Sequence, residues 1–268
     1  MNGVLQRDLT NASLEELCDI KGVAQVAITS EQRDALAARF RSIPTGHHRR
    51  LDAWMVEKAG IQSGDFVWSP ITTRRVLGNA ALRYVERSPQ LSYSDAVYEA
   101  LADQLDRAAR GHARTGSLGQ WIANLDNPIV GIVVAEATTW ATQMHQIMGR
   151  LGPDVAMASV DAYYDVAGAR TTLRGRRDAL IKPEEGRIVV RFRSGLPGRT
   201  AGSGLRADLA VDALADPQGR VAQRIIGIWP EAGVALALDG TMETLRAGAR
   251  DLVRSAIVEH RQYIRIAA

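Results

Sequence analysis

The sequence predicts an α/β protein in which a helical N-terminal half packs on a mixed β-sheet with flanking helices. Apolar residues recur at helical spacing through roughly the first 150 residues, whereas after Pro153 they alternate in short runs that glycine and proline separate. We therefore expect a helical region over 1–150 and a sheet-containing domain over 151–268. No proline- or serine-rich linker separates the two, which favours a compact arrangement.

The periodicity also gives the order of the elements. Ser13 with Glu16, and then Ser30, are expected to begin the first two helices. Further helices are predicted over 48–59, 72–86, 94–109 and 128–148. A β-hairpin is predicted from 155–166 and 171–181. The rest of the chain should form a strand at 187–193, a glycine-rich loop at 195–204, a helix at 205–215, strands at 224–229 and 234–238, and a helix at 242–263.

Composition restricts the class of protein. The 268 residues are 46% hydrophobic and 24% charged, which is typical of a globular chain and excludes a disordered or fibrous one. The longest apolar run, 129–135, is too short to cross a bilayer, and no signal sequence is visible. The single cysteine, Cys18, excludes an internal disulfide and a cysteine zinc site. We expect a cytoplasmic protein with no membrane partner.

Basic residues are concentrated in one segment of the C-terminal half. The formal net charge is +3, but residues 170–206 contain ten basic and three acidic side chains, so this segment is +7 and the rest of the chain is −4. A basic segment on a slightly acidic body is typical of a protein that binds a polyanion. On charge alone, a solvated arginine surface explains the segment equally well.

Two short motifs lie on neighbouring predicted strands of this segment. The strand predicted over 171–181 contains Gly175 and, three residues later, Asp178; the next contains Arg191 and Arg193, and Gly195 follows it. In order and spacing they resemble the Gly-x-x-Asp and Glu-x-Lys-x-Gly motifs of a RecB-like nuclease domain of the PD-(D/E)XK superfamily. The elements that follow are similar to the family's in order and length, so the resemblance covers roughly residues 155–265.

The resemblance implies a nuclease fold, but this sequence departs from the family at its metal site. In the family, carboxylates hold Mg²⁺, and the ion and a lysine activate water. Asp178 matches the first metal-binding aspartate, whereas Arg191 stands in the glutamate position and Arg193 in the lysine position. Two like charges about 4 Å apart repel by roughly 1 to 4 kcal/mol, and a divalent ion doubles this repulsion. We therefore expect no metal at Asp178 and no cofactor.

A third motif also differs from the family in charge, since aspartates stand where the family has neutral polar residues. The helix that carries Gln-x-x-x-Tyr in the family has Asp208 and Asp212 at those two positions here, four residues apart on one helical face. We interpret Asp178, Arg191, Arg193, Asp208 and Asp212 as a vestigial, charge-inverted site. We predict that one of its aspartates pairs with Arg191 or Arg193 in place of an ion. The alternative is that these side chains face solvent.

An active enzyme is a further reading of the same resemblance. Acidic ligands change position within this superfamily, and Glu136, on the helix before the sheet, is the candidate that would hold Mg²⁺ together with Asp178. A surface or capping role is the alternative for Glu136. We expect His145, on the same helix, to be a packed core residue rather than a ligand.

The sequence thus predicts a nucleic-acid-binding protein whose nuclease-like fold is inactive and serves as a structural or regulatory subunit. The expected partners are nucleic acid, DNA in particular, and other protein subunits. The predicted phosphate contacts are Arg174, Arg176, Arg177, Arg191, Arg193, Arg199 and Arg206. Lys182 and Arg187 would lie at the margin of this surface. Two alternatives stay open: a protein-interaction scaffold whose arginines face an acidic partner, and a Mg²⁺-dependent deoxyribonuclease with relocated acids.

Overall fold

The computed structural model describes residues 5–43, 49–58, 68–110, 117–182 and 186–267. The protein is α/β with mixed sheets, as the sequence predicts. It divides into two compact units. The larger contains Met1–Gln62 together with Pro153–Ala268, and the smaller contains Ser63–Gly152.

The larger unit is built on two sheets. Its strands are β1 (Leu5–Asp8), β2 (Arg49–Asp52), β3 (Val155–Met157), β4 (Ala162–Asp165), β5 (Thr171–Gly175), β6 (Ala179–Ile181), β7 (Ile188–Phe192), β8 (Arg224–Trp229) and β9 (Val234–Asp239). Six of them form a sheet in the order β1-β9-β8-β7-β6-β3, and the other three form a sheet in the order β2-β5-β4. In the larger sheet β7 and β8 are parallel, and the other neighbours are antiparallel.

The described residues of this unit also form five α-helices: α1 (Asn11–Cys18), α2 (Ser30–Arg41), α3 (Ala53–Lys58), α8 (Ala201–Ala215) and α9 (Met242–Ala267). Helix α8 packs against α9, α3 and strands of both sheets. It is buried on nearly every side, as expected for a helix at the centre of a layered core. Leu205 and Leu209 of α8 pack in one cluster with Ile225 and Trp229 of β8.

The predicted hairpin forms, but each of its arms breaks in the middle. Next to the turn, β4 pairs with β5 in the smaller sheet; farther from it, β3 pairs with β6 in the larger sheet. The breaks fall at 158–161 and 176–178, where the two arms cross from one sheet to the other. Asp161 and Asp178 lie at these breaks. Acidic side chains therefore lie where the two arms pass between the sheets, although the interior around them is apolar.

Several local predictions differ from the structure, and helix α8 begins at Ala201, inside the loop predicted over 195–204. Helix α1 begins earlier than expected, because the Thr10 hydroxyl, and not Ser13, caps it by accepting from the Ser13 amide at 3.3 Å. The start of the helix predicted over 48–59 is instead β2, which is recruited by parallel pairing with β5. Strand β1 has no local signal and pairs with β9.

The smaller unit is helical, with α4 (Pro70–Arg87), α5 (Tyr93–Ala109), α6 (Leu118–Ala123) and α7 (Asn127–Leu151). Helix α4 approaches α7 closely at Gly78, where a Cβ atom would lie 2.5 Å from Trp140 Cδ1. The buried Trp140 indole donates from Nε1 to Asn79 Oδ1 at 2.9 Å. Over the described parts of both units, no helix is long and apolar enough to cross a bilayer.

Candidate functional site

Arg191 occupies the centre of a buried cluster of charges in the larger unit. It lies on β7, all five residues of which are buried, and its side chain is 1% exposed. Its Nη1 donates to Asp178 Oδ2, and its Nε donates to Asp208 Oδ2 at 2.8 Å. The prediction that an aspartate of the charge-inverted site pairs with Arg191 is confirmed. Burial by itself lowers the pKa of Arg191, but the charges of Asp178 and Asp208 outweigh it and raise this pKa.

Backbone amides hold both of these carboxylates in place. Asp178 Oδ2 also accepts from the Phe192 amide at 2.9 Å, and Asp208 Oδ1 accepts from the Arg176 amide at 2.9 Å. Because these donors belong to β7 and to the break after β5, the sheet fixes the carboxylates on either side of the guanidinium. Charge-assisted hydrogen bonds of this kind are about twice as strong as neutral ones.

Gly175 allows α8 to bring Asp208 to this position. A Cβ atom at Gly175 would lie 2.9 Å from the Asp208 carbonyl oxygen and 3.0 Å from Val211 Cβ. No larger residue fits between β5 and α8 without moving one of them. The glycine of the Gly-x-x-Asp pattern is therefore explained by close packing of the helix on the strand.

A second aspartate of α8 and a third at its C-cap follow Asp208 at intervals of four residues. Asp212, which is 1% exposed, accepts from Arg177 Nε at Oδ1 and from Arg187 Nη2 at Oδ2, both at 2.5 Å. Arg187 Nη1 also reaches Asp216 Oδ2 at 3.3 Å. Asp208 and Asp212 on α8 and Asp216 at its C-cap thus form an acidic row, and each carboxylate pairs with an arginine from the sheet side.

Asp161, which the sequence analysis missed, links this cluster to the smaller sheet. Its Oδ2 accepts from Arg174 Nε at 2.8 Å and Nη2 at 2.5 Å, and its Oδ1 accepts from the Arg177 amide at 3.1 Å. Burial by itself raises the pKa of Asp161, but the Arg174 charge and these hydrogen bonds outweigh burial and lower the pKa. Its only sequence signal is an acidic residue inside a predicted strand.

Arg193 has a different partner from those predicted. Its Nη2 pairs with Glu57 of α3, and its guanidinium carbon lies 5.9 Å from the centroid of the Trp229 ring. Burial lowers the pKa of Arg193, an effect that the charges of Asp208 and Asp52 offset only in part. Glu57 comes from a segment more than a hundred residues away, and nothing in the local sequence pointed to it.

Six of the seven arginines predicted to contact phosphates are paired with carboxylates. In addition to the pairs above, Arg176 Nη2 lies 3.7 Å from Asp52 Oδ2, and Arg206 Nη2 lies 3.0 Å from Asp251 Oδ2. Arg199 is exposed. Since Arg191 is fully buried between two carboxylates, it does not reach a phosphate, and its assignment to the binding surface is withdrawn.

The site does not fit the Mg²⁺ ion that the resemblance implies. Arg191 donates to Asp178 Oδ2 and Asp208 Oδ2, and the other Asp208 oxygen accepts from the Arg176 amide. Among the residues that the structure describes, no group of three or more His, Cys, Asp or Glu side chains is arranged to hold a metal. Hard divalent ions require several such oxygen ligands, so we derive no hydrolytic step through a metal here.

The candidate residues of the smaller unit have other environments. Glu136 pairs with Arg74, with 3.3 Å between Oε2 and Nη1, and the carboxylate is 39% exposed. His145 is exposed, with its ring centroid 5.6 Å from that of Tyr93. The expectation of a packed core histidine is wrong, because Met144, Ile147 and Met148 take the buried side of α7.

No protein-family model matches the sequence, and no curated protein matches it. A solved structure titled "Crystal structure of SSO0001" is similar at 15% identity, over 75% of this chain and 84% of that chain, with a TM-score of 0.24. Similarity at this level does not establish a shared fold.

Replacing Arg191 by methionine should strongly destabilise the larger unit. Arg191→Met leaves the Asp178 and Asp208 carboxylates buried without their counter-charge, so we expect a loss of about 3 to 5 kcal/mol in the free energy of unfolding, measured by chemical denaturation. Arg170→Met, at an exposed position, is the matched control and should change the free energy by about 0.5 kcal/mol or less.

A triple variant separates charge from packing. Adding Asp178→Asn and Asp208→Asn to Arg191→Met removes the unpaired charges, and we expect part of the lost stability to return. A loss below about 1 kcal/mol for Arg191→Met alone would show that the pairs do not form.

Asp161→Asn should remove an acid-sensitive contribution to stability. Because the folded-state pKa of Asp161 lies below its ordinary value, the ionised carboxylate stabilises the fold above the unfolded pKa of about 3.9, and this contribution is lost as the pH falls through the folded pKa. We expect the variant to be less stable by about 2 kcal/mol at pH 7 and the difference to shrink below about pH 4. Denaturation curves over this pH range test it; a difference independent of pH contradicts the pairing with Arg174.

Proposed function

We propose that this chain is a non-catalytic nucleic-acid-binding protein, built on a PD-(D/E)XK-type mixed sheet in which an arginine takes the place of the metal ion of the resembled nucleases. The observation that carries the proposal is the position of Arg191, whose guanidinium lies buried between Asp178 and Asp208. In this role the domain would serve as a structural or regulatory subunit.

The chemistry of Arg191 supports the loss of catalysis. A guanidinium is permanently charged at physiological pH and has no open coordination position, so it cannot generate a hydroxide nucleophile as a bound metal does. Displacing it to admit Mg²⁺ would leave a buried cation without partners, at a cost of about 3 to 5 kcal/mol. The cluster therefore supports a structural role for these residues.

Exposed basic residues support binding to a polyanion. Arg170, Lys182 and Arg199 belong to the basic segment, are exposed, and have no carboxylate partner within the described part of the chain. They replace the buried or paired arginines as the phosphate contacts that this segment can offer. Three such contacts give non-specific, salt-dependent affinity rather than base recognition.

A protein-interaction scaffold is the second candidate function. Four large apolar side chains among the described residues of the larger unit are exposed: Trp54 at 41%, Val160 at 66%, Tyr163 at 51% and Leu196 at 79%. Exposed apolar groups are a feature of protein interfaces when they form one patch. Co-purification separates the two functions, because a nucleic-acid-binding protein should show an absorbance ratio at 260 and 280 nm that falls after nuclease treatment.

Binding and cleavage assays on the same labelled DNA test the proposal. We expect the wild-type chain to bind duplex or single-stranded DNA with an affinity that falls with salt, with a log-log slope of about −3 or steeper for duplex. We expect no cleavage in Mg²⁺ or Mn²⁺. Fluorescence anisotropy and gel analysis of the products measure these two quantities.

Each opposite outcome has a clear meaning. Cleavage that Asp178→Ala abolishes would show a metal-dependent nuclease and overturn the proposal. The absence of salt-dependent binding to DNA and RNA would also overturn it and would favour the scaffold function.

A further inference from the structure

The C-terminal helix α9 carries a row of exposed arginines that the sequence analysis did not identify. Arg246, Arg250 and Arg254 are exposed and follow one another at intervals of four residues. Each interval advances about 6 Å along a helix and turns about 40° around it. The three side chains therefore occupy one face, about 12 Å long, which we call the α9 basic face.

The opposite side of α9 is fixed to the body of the larger unit. Leu245, Ala249, Leu252 and Ala256 are each at most 1% exposed. At Gly248, a Cβ atom would lie 2.1 Å from the Arg206 carbonyl oxygen, so α9 lies directly on the backbone of α8. The backbone beneath the α9 basic face is thus held rigidly, so binding a ligand there costs less conformational entropy.

The arginines of this face are not neutralised by the protein. None of the three forms an ion pair with a carboxylate of the described residues, in contrast to Arg206 of α8, which pairs with Asp251. Asp251 is engaged with α8 by that pair and does not offset the face. Glu243, one turn before Arg246, is the acidic residue at its beginning. The exposed, unpaired basic residues described in the segment 170–206 are also three, but they are spread over 30 positions, whereas those of α9 lie within nine.

We infer that the α9 basic face is the main phosphate-backbone contact of this chain, binding double-stranded nucleic acid; this inference rests on the function proposed above. A B-form duplex carries one phosphate per about 1.7 Å of its axis, so a face about 12 Å long meets several phosphates together. A single phosphate group would engage only one of the arginines.

Other polyanionic partners fit the face less well. An amphipathic helix binds a membrane by inserting its apolar side, but the apolar side of α9 is already buried in the core. A protein interface has an apolar centre, and no large hydrophobic residue of 242–259 is among the exposed ones. Phosphate contacts require only the charges, which are present.

A charge-matched pair of triple variants tests the inference in the full-length chain. Arg246→Gln/Arg250→Gln/Arg254→Gln removes the face, whereas Arg39→Gln/Arg87→Gln/Arg107→Gln removes the same charge from scattered exposed positions. For a labelled duplex, we expect the first variant to lose about tenfold or more in affinity and its salt slope to become less negative by about 2.7, which is 0.9 for each phosphate contact. The control should keep the wild-type slope.

The outcomes distinguish this inference from the proposed function. If the wild type binds and the first variant binds equally well, the inference fails and the proposed function stands; if the wild type does not bind, both fail. The inference is also overturned if the first variant loses binding to anionic phospholipid vesicles or poly-glutamate but keeps its affinity for the duplex. Thermal unfolding checks that the triple variant is folded. The single substitution Arg250→Gln tests the same surface, and we expect it to make the salt slope less negative by about 0.9.

Discussion

The ion pairs of Arg191 with Asp178 and Asp208 are the interaction on which the interior of the larger unit depends. A guanidinium that is 1% exposed is tolerated only when its charge is paired with carboxylates. The fold meets this requirement with two features: each arm of the hairpin breaks as it passes between sheets, and α8 lies close enough to Gly175 to insert its row of aspartates. The path of the hairpin arms and the packing of α8 therefore also place the carboxylates around Arg191.

The α/β class, the order of the C-terminal elements and the pairing of Arg191 with an aspartate could be predicted from the sequence. These predictions depend on local periodicity and on the change of sign at motif positions, which are visible within about forty residues. The breaks in the hairpin, the recruitment of β2 and the partners Asp161 and Glu57 could not be predicted. They depend on pairing between distant segments, for which one sequence contains no local signal.

The charge of a sequence segment is a poor guide to the charge of a surface. Residues 170–206 are strongly basic, yet most of their arginines meet carboxylates such as Asp52 and Asp251 from outside the segment. By contrast, the arginines of α9 are spaced among apolar and acidic residues, so they become a basic face only when the helix is folded. If the domain binds nucleic acid, the buried charges around Arg191 stabilise the fold, and binding takes place at a different surface.

Crystals of the wild-type chain soaked in Mn²⁺ and measured for anomalous scattering would test the charge-inverted site most directly. The predicted result is electron density for the Arg191 guanidinium between Asp178 and Asp208, and no anomalous peak at a coordination distance of about 2.1 Å from either carboxylate. A manganese peak beside Asp178, with the Arg191 side chain displaced, would contradict the replacement of the metal by arginine.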